Sequence, residues 1–346
     1  MNIFWFGVVM PGKLPPKIME KIVYRRLGAP DPCVLIGPAV GEDAAIIDIG
    51  GGLVLVVHSD AISGASEFLG WLAVHIAAND IAVRGAKPKW FLMSLFLPEV
   101  STENLLDKIM AQVDGAAKEL GMMIVGGHTE RTPGISRPLV GTMALGLTEK
   151  NRVVTTSGAR VGDYLIMSKT AALEGTAILC TDFAETLRSR GVSDEVLAAG
   201  SSLLFKVSIV REALALADRK LATSMHDPTE GGILGGIAEI AYSSKKTIEL
   251  WVERVPIADE TKIVAKALGI DVLRLISSGA LIASIPPEKV DEAIRTLNSL
   301  NIEASVIGRV KEYTGHLIEV IKGSSIIYVD EVYVVDEIYR LWENLA

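Results

Sequence analysis

Apolar residues in this chain recur in short runs and in longer helical stripes, and the two kinds of segment alternate along its length. AAIID (44–48) and LVLVVHS (53–59), joined by Gly50-Gly51-Gly52, predict a β-hairpin. EFLGWLAVHIAANDIAVRG (67–85) predicts a buried helix, with Leu69, Leu72, Ile76, Asp80 and Val83 on one stripe. Arg84-Gly85 followed by Lys87-Pro88 forms its stop signal. WFLMSLFL (90–97) reads as a strand and ENLLDKIMAQVDGAAKELG (103–121) as an amphipathic helix closed by glycine. MMIVGGHTE is a short strand running into a loop, and LVGTMALGLT (139–148) is another strand. The polar, turn-rich EKNRVVTTSGARVGD (149–163) marks a boundary between an N-terminal domain, residues 1–150, and a C-terminal one, residues 151–346. Beyond it follow the strand YLIMS, a loop KTAALEGT, helices to about residue 220, the strand IELWVE, a helix near 258–268, the strand ALIASIP, a helix over 287–300 and the strand ASVIGRV. Two α/β domains in series is the expected fold class.

Composition narrows this picture. The chain has 346 residues, is 49% hydrophobic and 22% charged, and so can bury a large core. A net charge of −8 argues against a general nucleic-acid binder. Two cysteines, Cys33 and Cys180, are too few for a disulfide framework or a cysteine-rich zinc site and suit a cytoplasmic setting. The opening MNIFWFGVVM lacks the basic start and cleavage site of a signal peptide and is too short to span a bilayer. Met10, before a more polar run, is a second candidate start, and no later apolar run reaches membrane length.

Four acids stand where a purely structural reading is strained. Asp43 precedes a strand in GEDAAII, Asp60 ends the strand LVLVVHSD, Asp80 lies on the apolar stripe, and Asp227 sits before a glycine-rich helix. A buried carboxylate without a partner costs several kcal/mol, so Asp80 requires a lysine, backbone amides or a metal ion. Hard oxygen ligands without cysteine suit Mg²⁺ held jointly with substrate phosphates. In HDPTEGGILGGIAEIA (226–241), Asp227 reads as an N-cap, Pro228 as the first helical residue and Glu230 as a capping-box acid. Gly231, Gly232, Gly235 and Gly236 then form one helical face that costs roughly 1 kcal/mol per glycine relative to alanine. Such a face permits close backbone approach, as do the loops GGHTERTPG (126–134) and ALEGTAI (172–178). No Walker motif and no GxGxxG follows a strand.

GEDAAII, HSD, NDIAVRGAKP, GGHTE, HDPTEGG, ARVGDYLIMS and SSGALIASIPPE, in this order, resemble the motifs of the PurM superfamily. That superfamily contains aminoimidazole ribonucleotide synthetase, thiamine-monophosphate kinase, selenophosphate synthetase and the hydrogenase maturation factor HypE, and the pattern is most similar to the HypE-like branch. The resemblance covers residues 12–310. It implies an α/β (α+β) AIR synthetase-like fold in which the N-terminal domain gives strands to a barrel formed by a homodimer. It implies ATP in a cleft near the subunit interface, with Asp43, Asp60 and Asp80 holding Mg²⁺ on its phosphates. Lys13, Gly126, Gly127, Thr129, Gly231 and Gly232 are the further cofactor-binding residues it implies, and Asp227 and His128 the catalytic ones. The reaction implied is activation of a small molecule or amide-like oxygen by phosphoryl transfer, with a thiamine-monophosphate kinase-like activity or a non-catalytic nucleotide-binding scaffold as alternatives. HypE ends in a cysteine that carries the group being dehydrated, whereas this sequence ends YRLWENLA, and PGKLPPK lacks the reactive residue of selenophosphate synthetase. The expectation is a HypE-like ATPase of unassigned substrate, not HypE itself.

Overall fold

The computed structural model describes residues 12–62 and 67–345, and the apolar opening segment with its candidate start Met10 lies outside them. It is a mixed α/β protein with two sheets. The first has six strands: β1 (Val34–Ile36), β2 (Ala45–Gly50), β3 (Leu53–Ile62), β4 (Lys87–Pro98), β5 (Met123–Thr132) and β6 (Leu139–Glu149). Their spatial order is β1-β2-β3-β6-β4-β5. The expected hairpin is present, with Ile46 opposite Val56 and Ile47 opposite Leu55.

Before the sheet, α1 (Pro16–Ile18) runs into a wider turn at Met19–Val23. Between strands lie α2 (Leu69–Ala82) and α3 (Glu103–Leu120), the latter capped by Thr102 and closed by Gly121 at φ +65°. Parallel β4 and β5 are joined through α3, as a parallel pair requires. Helix α2 is buried on nearly every side rather than along one stripe, since α3, the sheet and the second domain all cover it. Gly70 admits α3: a methyl there would lie 2.3 Å from Ile109 O.

The second sheet has seven strands, ordered β13-β12-β9-β11-β7-β10-β8. In chain order these are β7 (Tyr164–Ser168), β8 (Ser224–His226), β9 (Thr247–Trp251), β10 (Ile282–Ile285), β11 (Ala304–Lys311), β12 (Ile318–Lys322) and β13 (Ser325–Val329). Around it pack α4 (Leu173–Asp182), α5 (Ala184–Ser189), α6 (Asp194–Ser202), α7 (Val210–Asp218), α8 (Gly232–Ser244), α9 (Asp259–Leu268), α10 (Val290–Ser299) and α11 (Glu337–Leu345). KTAALEGT is thus not wholly loop, because its last residues open α4. The two sheets meet across α2. Trp71 Nε1 donates to Leu204 O at 3.3 Å, Asn79 Nδ2 donates to Val207 O at 2.9 Å, and Asn79 Oδ1 accepts from the Ile209 amide at 2.9 Å. Among the described residues, no helix is long and apolar enough to cross a membrane.

Candidate active site

Where the two sheets face each other, a cleft of about 380 Å³ collects Asp43, Asp60, Asp80 and Asp227. Each arrives from a different element. Asp43 lies in the turn before β2, Asp60 in β3, Asp80 in α2, and Asp227 directly after β8. Lys13 comes from the N-terminal arm, while Val332 to Asp336 and Tyr339 come from the C-terminal strap. Motifs spread over two hundred residues therefore converge because strand ends and a helix of one domain abut a strand end of the other.

Two residues that the motifs left unassigned hold the acids in place. Arg84, at the end of α2, is fully buried. Its guanidinium donates to Glu42 Oε2 at 2.7 Å and also to Asp43 and Thr156 Oγ1. Glu42 in turn accepts the amides of Thr156 and Ser157 at 3.2 Å, so the polar boundary segment is bound into the site. His226 lies between Asp43, with Nδ1 at 2.7 Å from Oδ1, and Glu239, with Nε2 at 2.8 Å from Oε2. Burial alone would raise the pKa of Asp43, but His226 and Arg84 hold it down to about 2. Burial would lower His226, yet Asp43 and Glu239 raise it to about 10.

The deeper acids behave oppositely. Burial, then Asp43 and Asp60, push Asp80 well above the ordinary carboxylate range, and burial and Asp80 do the same to Asp227. Both Asp227 carboxylate oxygens are buried, and the Asn79 carboxamide beside them opposes the rise. Asp80 has His58 Nε2 at 3.2 Å. Lys13 donates its amide to Glu230 Oε2 at 2.7 Å and its ammonium to Thr229 Oγ1 at 2.8 Å. Desolvation opposes its charge, but Glu239, Asp60, Glu230 and Asp80 outweigh that and raise it.

Several expected features are placed differently. Asp227 is not an N-cap: α8 starts at Gly232, Gly231 occupies the cap position at φ +84°, and Pro228 precedes the helix. Glu230 closes no capping box and instead accepts the Tyr339 hydroxyl at 2.8 Å as well as the Lys13 amide. Only Gly235 and Gly236 are interior helical glycines, and Gly236 packs against Pro228. Gly231 and Gly232 do not line the cleft. A methyl on Gly231 would lie 2.7 Å from Val334 O, and one on Gly232, at φ +63°, would lie 2.6 Å from Leu275 O and 2.7 Å from Leu273 O. The glycines thus seat α8 against the C-terminal strap and residues 273–275. Gly232→Ala is therefore expected to lower stability by about 1–3 kcal/mol, the reverse of the helix-propensity effect, as thermal melting would read.

GGHTE is no loop. Gly126, Gly127, His128 and Thr129 lie within β5, the exposed edge of the first sheet, and none of them lines the cleft of its own chain. Gly127 has a pairing role, since a methyl there would lie 2.1 Å from Met93 O. His128 Nε2 is 3.0 Å from Glu130 Oε2. ALEGTAI forms no phosphate loop either, because Gly175 packs helix α4 onto Leu275 and Ile276.

Residues 41–148 match the model of the AIR synthase related protein N-terminal domain, and residues 160–320 match that of its C-terminal domain. The chain belongs to the AIR synthase related family. Its resemblance to the HypE-like branch of the PurM superfamily holds in individual relatives. This AIR synthase related chain is 27% identical to a putative hydrogenase expression/formation protein of Methanocaldococcus jannaschii, over 91% of this chain and 93% of that one. It is 26% identical to the carbamoyl dehydratase HypE of Rhizobium leguminosarum bv. viciae, over 81% and 80%. Its fold is that of hydrogenase maturation protein HypE solved in complex with ATP, with a TM-score of 0.70 and 21% identity over 93% of this chain and 96% of that one. A ThiL structure complexed with AMPPCP and TMP shares the fold at a TM-score of 0.66 and 21% identity, over 84% and 92%.

Proposed function

We propose that this protein is an ATP- and Mg²⁺-dependent enzyme that activates a small molecule or amide-like oxygen by phosphoryl transfer. The observation that carries the reading is the convergence of Asp43, Asp60, Asp80 and Asp227 with Lys13 in one interdomain cleft. In such a transfer the γ-phosphorus bond to the bridging oxygen breaks, ADP departs, and the acceptor oxygen forms the new bond. Most of the catalysis is positioning and charge stabilisation.

The residues fit a divalent cation by their chemistry. Burial holds both Asp80 and Asp227 above their ordinary pKa, with Asp43 and Asp60 adding to the first and Asp80 to the second, and both line the cleft. Among the described residues no group of three His, Cys, Asp or Glu side chains makes a preformed metal site. Mg²⁺ commonly keeps several waters and binds through a few carboxylates alongside phosphate oxygens. Asp43, Asp60 and Asp80 would share the Mg²⁺ ions on the phosphates, and these would supply neutralisation of the phosphate charge. Lys13 adds a fixed positive charge from the N-terminal arm, and Arg84 and His226 fix the orientation of Asp43.

The reading includes a homodimer. Strand β5 leaves one edge open and exposes Met123 and Val125, and an edge of this kind invites a second copy. His128 and Thr129 would then approach a nucleotide across the interface. Val125→Lys is expected to yield a monomer by light scattering, and a wild-type mass that is monomeric at every concentration would sink the dimer. Calorimetric titration with Mg²⁺ and ATP, followed by phosphate release across candidate amides, tests the activity. Absence of binding refutes the reading, while binding without turnover on any acceptor favours a nucleotide-binding scaffold.

A further inference from the structure

The N-terminal arm precedes the first sheet in the chain yet rests on the second domain. Lys13 donates its amide to Glu230 Oε2 at 2.7 Å and its ammonium to Thr229 Oγ1 at 2.8 Å. Further along, Lys17 pairs with Glu331 at 3.2 Å and the Tyr242 hydroxyl donates to Glu20 Oε1 at 3.1 Å. Apolar burial does not hold the arm there, because no residue of α1 or of the turn after it is buried and Leu14 is 45% exposed. The Lys17 pair stands in solvent, where an ion pair is worth little. The fixed point is Glu230. Its other oxygen, Oε1, accepts the Tyr339 hydroxyl at 2.8 Å, so one carboxylate ties the N-terminal arm to the C-terminal helix α11. Beside it Asp336 accepts the Gly231 amide at 2.7 Å. Gly12 lets the three segments meet, since a methyl there would lie 2.5 Å from the Tyr339 ring and 2.9 Å from Glu230 Oε2.

We propose that Glu230 is a positioning residue, whose carboxylate joins the N-terminal arm and the C-terminal helix at the cleft and so keeps the Lys13 ammonium in it. The inference rests on the phosphoryl-transfer reading and adds to it a residue that acts through Lys13. Glu230 stands on rigid ground two residues before α8, where Gly232 is seated against the Leu273 and Leu275 carbonyls. Burial, then the Glu230 charge, push the Tyr339 pKa up, so the hydroxyl keeps its proton and its donor role. Hydrogen bonds to a charged acceptor are the strong ones, and both of these end on the same carboxylate. Charge makes the sign of the effect decisive. Glu230 is one of the acids around Lys13, with Glu239, Asp60 and Asp80. Acting by charge alone, it repels an anionic nucleotide, and its removal would strengthen binding. Acting by placing Lys13, it favours that nucleotide, and its removal weakens binding because the arm carries the ammonium away.

Two measurements on the full chain test it, calorimetric titration with Mg²⁺ and ATP, and limited trypsin digestion read by mass at the Lys13-Leu14 and Lys17-Ile18 bonds. Glu230→Ala should be cut about tenfold faster at both bonds and bind Mg·ATP about tenfold more weakly. In a Lys13→Met background, which has no ammonium left to place, Glu230→Ala should not weaken ATP binding further. Unchanged or tighter ATP binding by Glu230→Ala, an equal loss in the Lys13→Met background, or an arm cut no faster would each overturn the proposal. Melting curves show which variants are folded. Should Glu230→Ala fail to fold, Glu230→Gln, which keeps one acceptor for the two donors, should give the same changes at smaller size, and its equality with wild type in both assays would overturn the proposal as well. Faster digestion of Glu230→Ala in a protein that ignores ATP would refute the phosphoryl-transfer reading and leave the joint between the two chain ends standing, whereas ATP binding indifferent to Glu230→Ala would refute the positioning role alone.

Discussion

Arg84→Ala should lower the stability of the protein by about 3–5 kcal/mol and remove nucleotide binding with it. Arg84 has no solvent exposure, and its guanidinium serves Glu42, Asp43, Thr156 and the carbonyl oxygens of Val154 and Met225. Without it Glu42 loses its guanidinium partner, Asp43 is left with His226 alone, and the boundary segment loses its tie to α2. Arg84→Lys keeps the charge but cannot span both carboxylates and the hydroxyl with one ammonium, so it should fall between wild type and Ala. Denaturant unfolding of the three proteins reads the order. The pH dependence adds a second test. Asp43 drops from its ordinary 3.8 to about 2 on folding, so its contribution is present above pH 3.8 and lost as pH falls through 2. His226 rises from 6.5 to about 10, so its contribution is present below pH 6.5 and lost as pH rises through 10. Arg84→Ala should shrink the acid limb, since it removes one of the two groups that hold Asp43 down. If Arg84→Ala unfolds less than about 1 kcal/mol more readily than wild type, Arg84 does not clamp Glu42 and Asp43 in place.

Much of this was legible in the residues. The hairpin at 44–59, the strands of both sheets around residues 90, 140, 164 and 282, and helix α3 with its closing glycine follow from period and punctuation, because local packing decides them. Asp80 on an apolar stripe was a legible anomaly, and the four acids do meet in one cleft. The misreadings have one physical source. Cap rules are local, whereas Asp227, Glu230 and the Gly231-Gly232 pair are placed by α2, the N-terminal arm, Tyr339 and residues 273–275, which lie far away in sequence. GGHTE carries turn residues, yet the backbone of β4 pairs with it residue for residue, from Leu92 opposite Gly126 to Phe96 opposite Glu130, and Gly127 is there for that pairing. Arg84 looked like an ordinary helix-end cation because position cannot reveal that the second domain would bury it. His226 beside the DPT motif carried a faint signal, a histidine next to an acid, but its partners Asp43 and Glu239 are 183 residues before and 13 after it.

Asp80→Asn should make the protein more stable and less able to bind nucleotide at the same time. In the folded chain burial, Asp43 and Asp60 raise the Asp80 pKa well above 3.8, so its stability contribution is full below pH 3.8 and declines as pH rises through its folded value. At neutral pH the carboxyl therefore works against folding, and an amide of the same shape removes that penalty. Melting in EDTA should show the gain, and it should shrink as pH is lowered toward 4, where wild type carries the proton itself. The same substitution removes a charged oxygen from the group proposed to hold Mg²⁺ on ATP. Titration with Mg²⁺ and ATP should read a loss of about 100-fold, equivalent to about 2.7 kcal/mol. Opposite signs in the two assays are what a functional carboxylate held in a strained place predicts. Asp60→Asn should weaken Mg·ATP binding too, but with a smaller change in melting, since Asp60 is only half-buried and its Oδ1 accepts the Ala61 amide at 2.7 Å. A different outcome has an equally definite meaning. If Asp80→Asn melts lower than wild type and ATP affinity merely follows the folded fraction, then Asp80 is a core residue satisfied by its neighbour His58 at 3.2 Å, and the metal-binding role proposed for it is wrong.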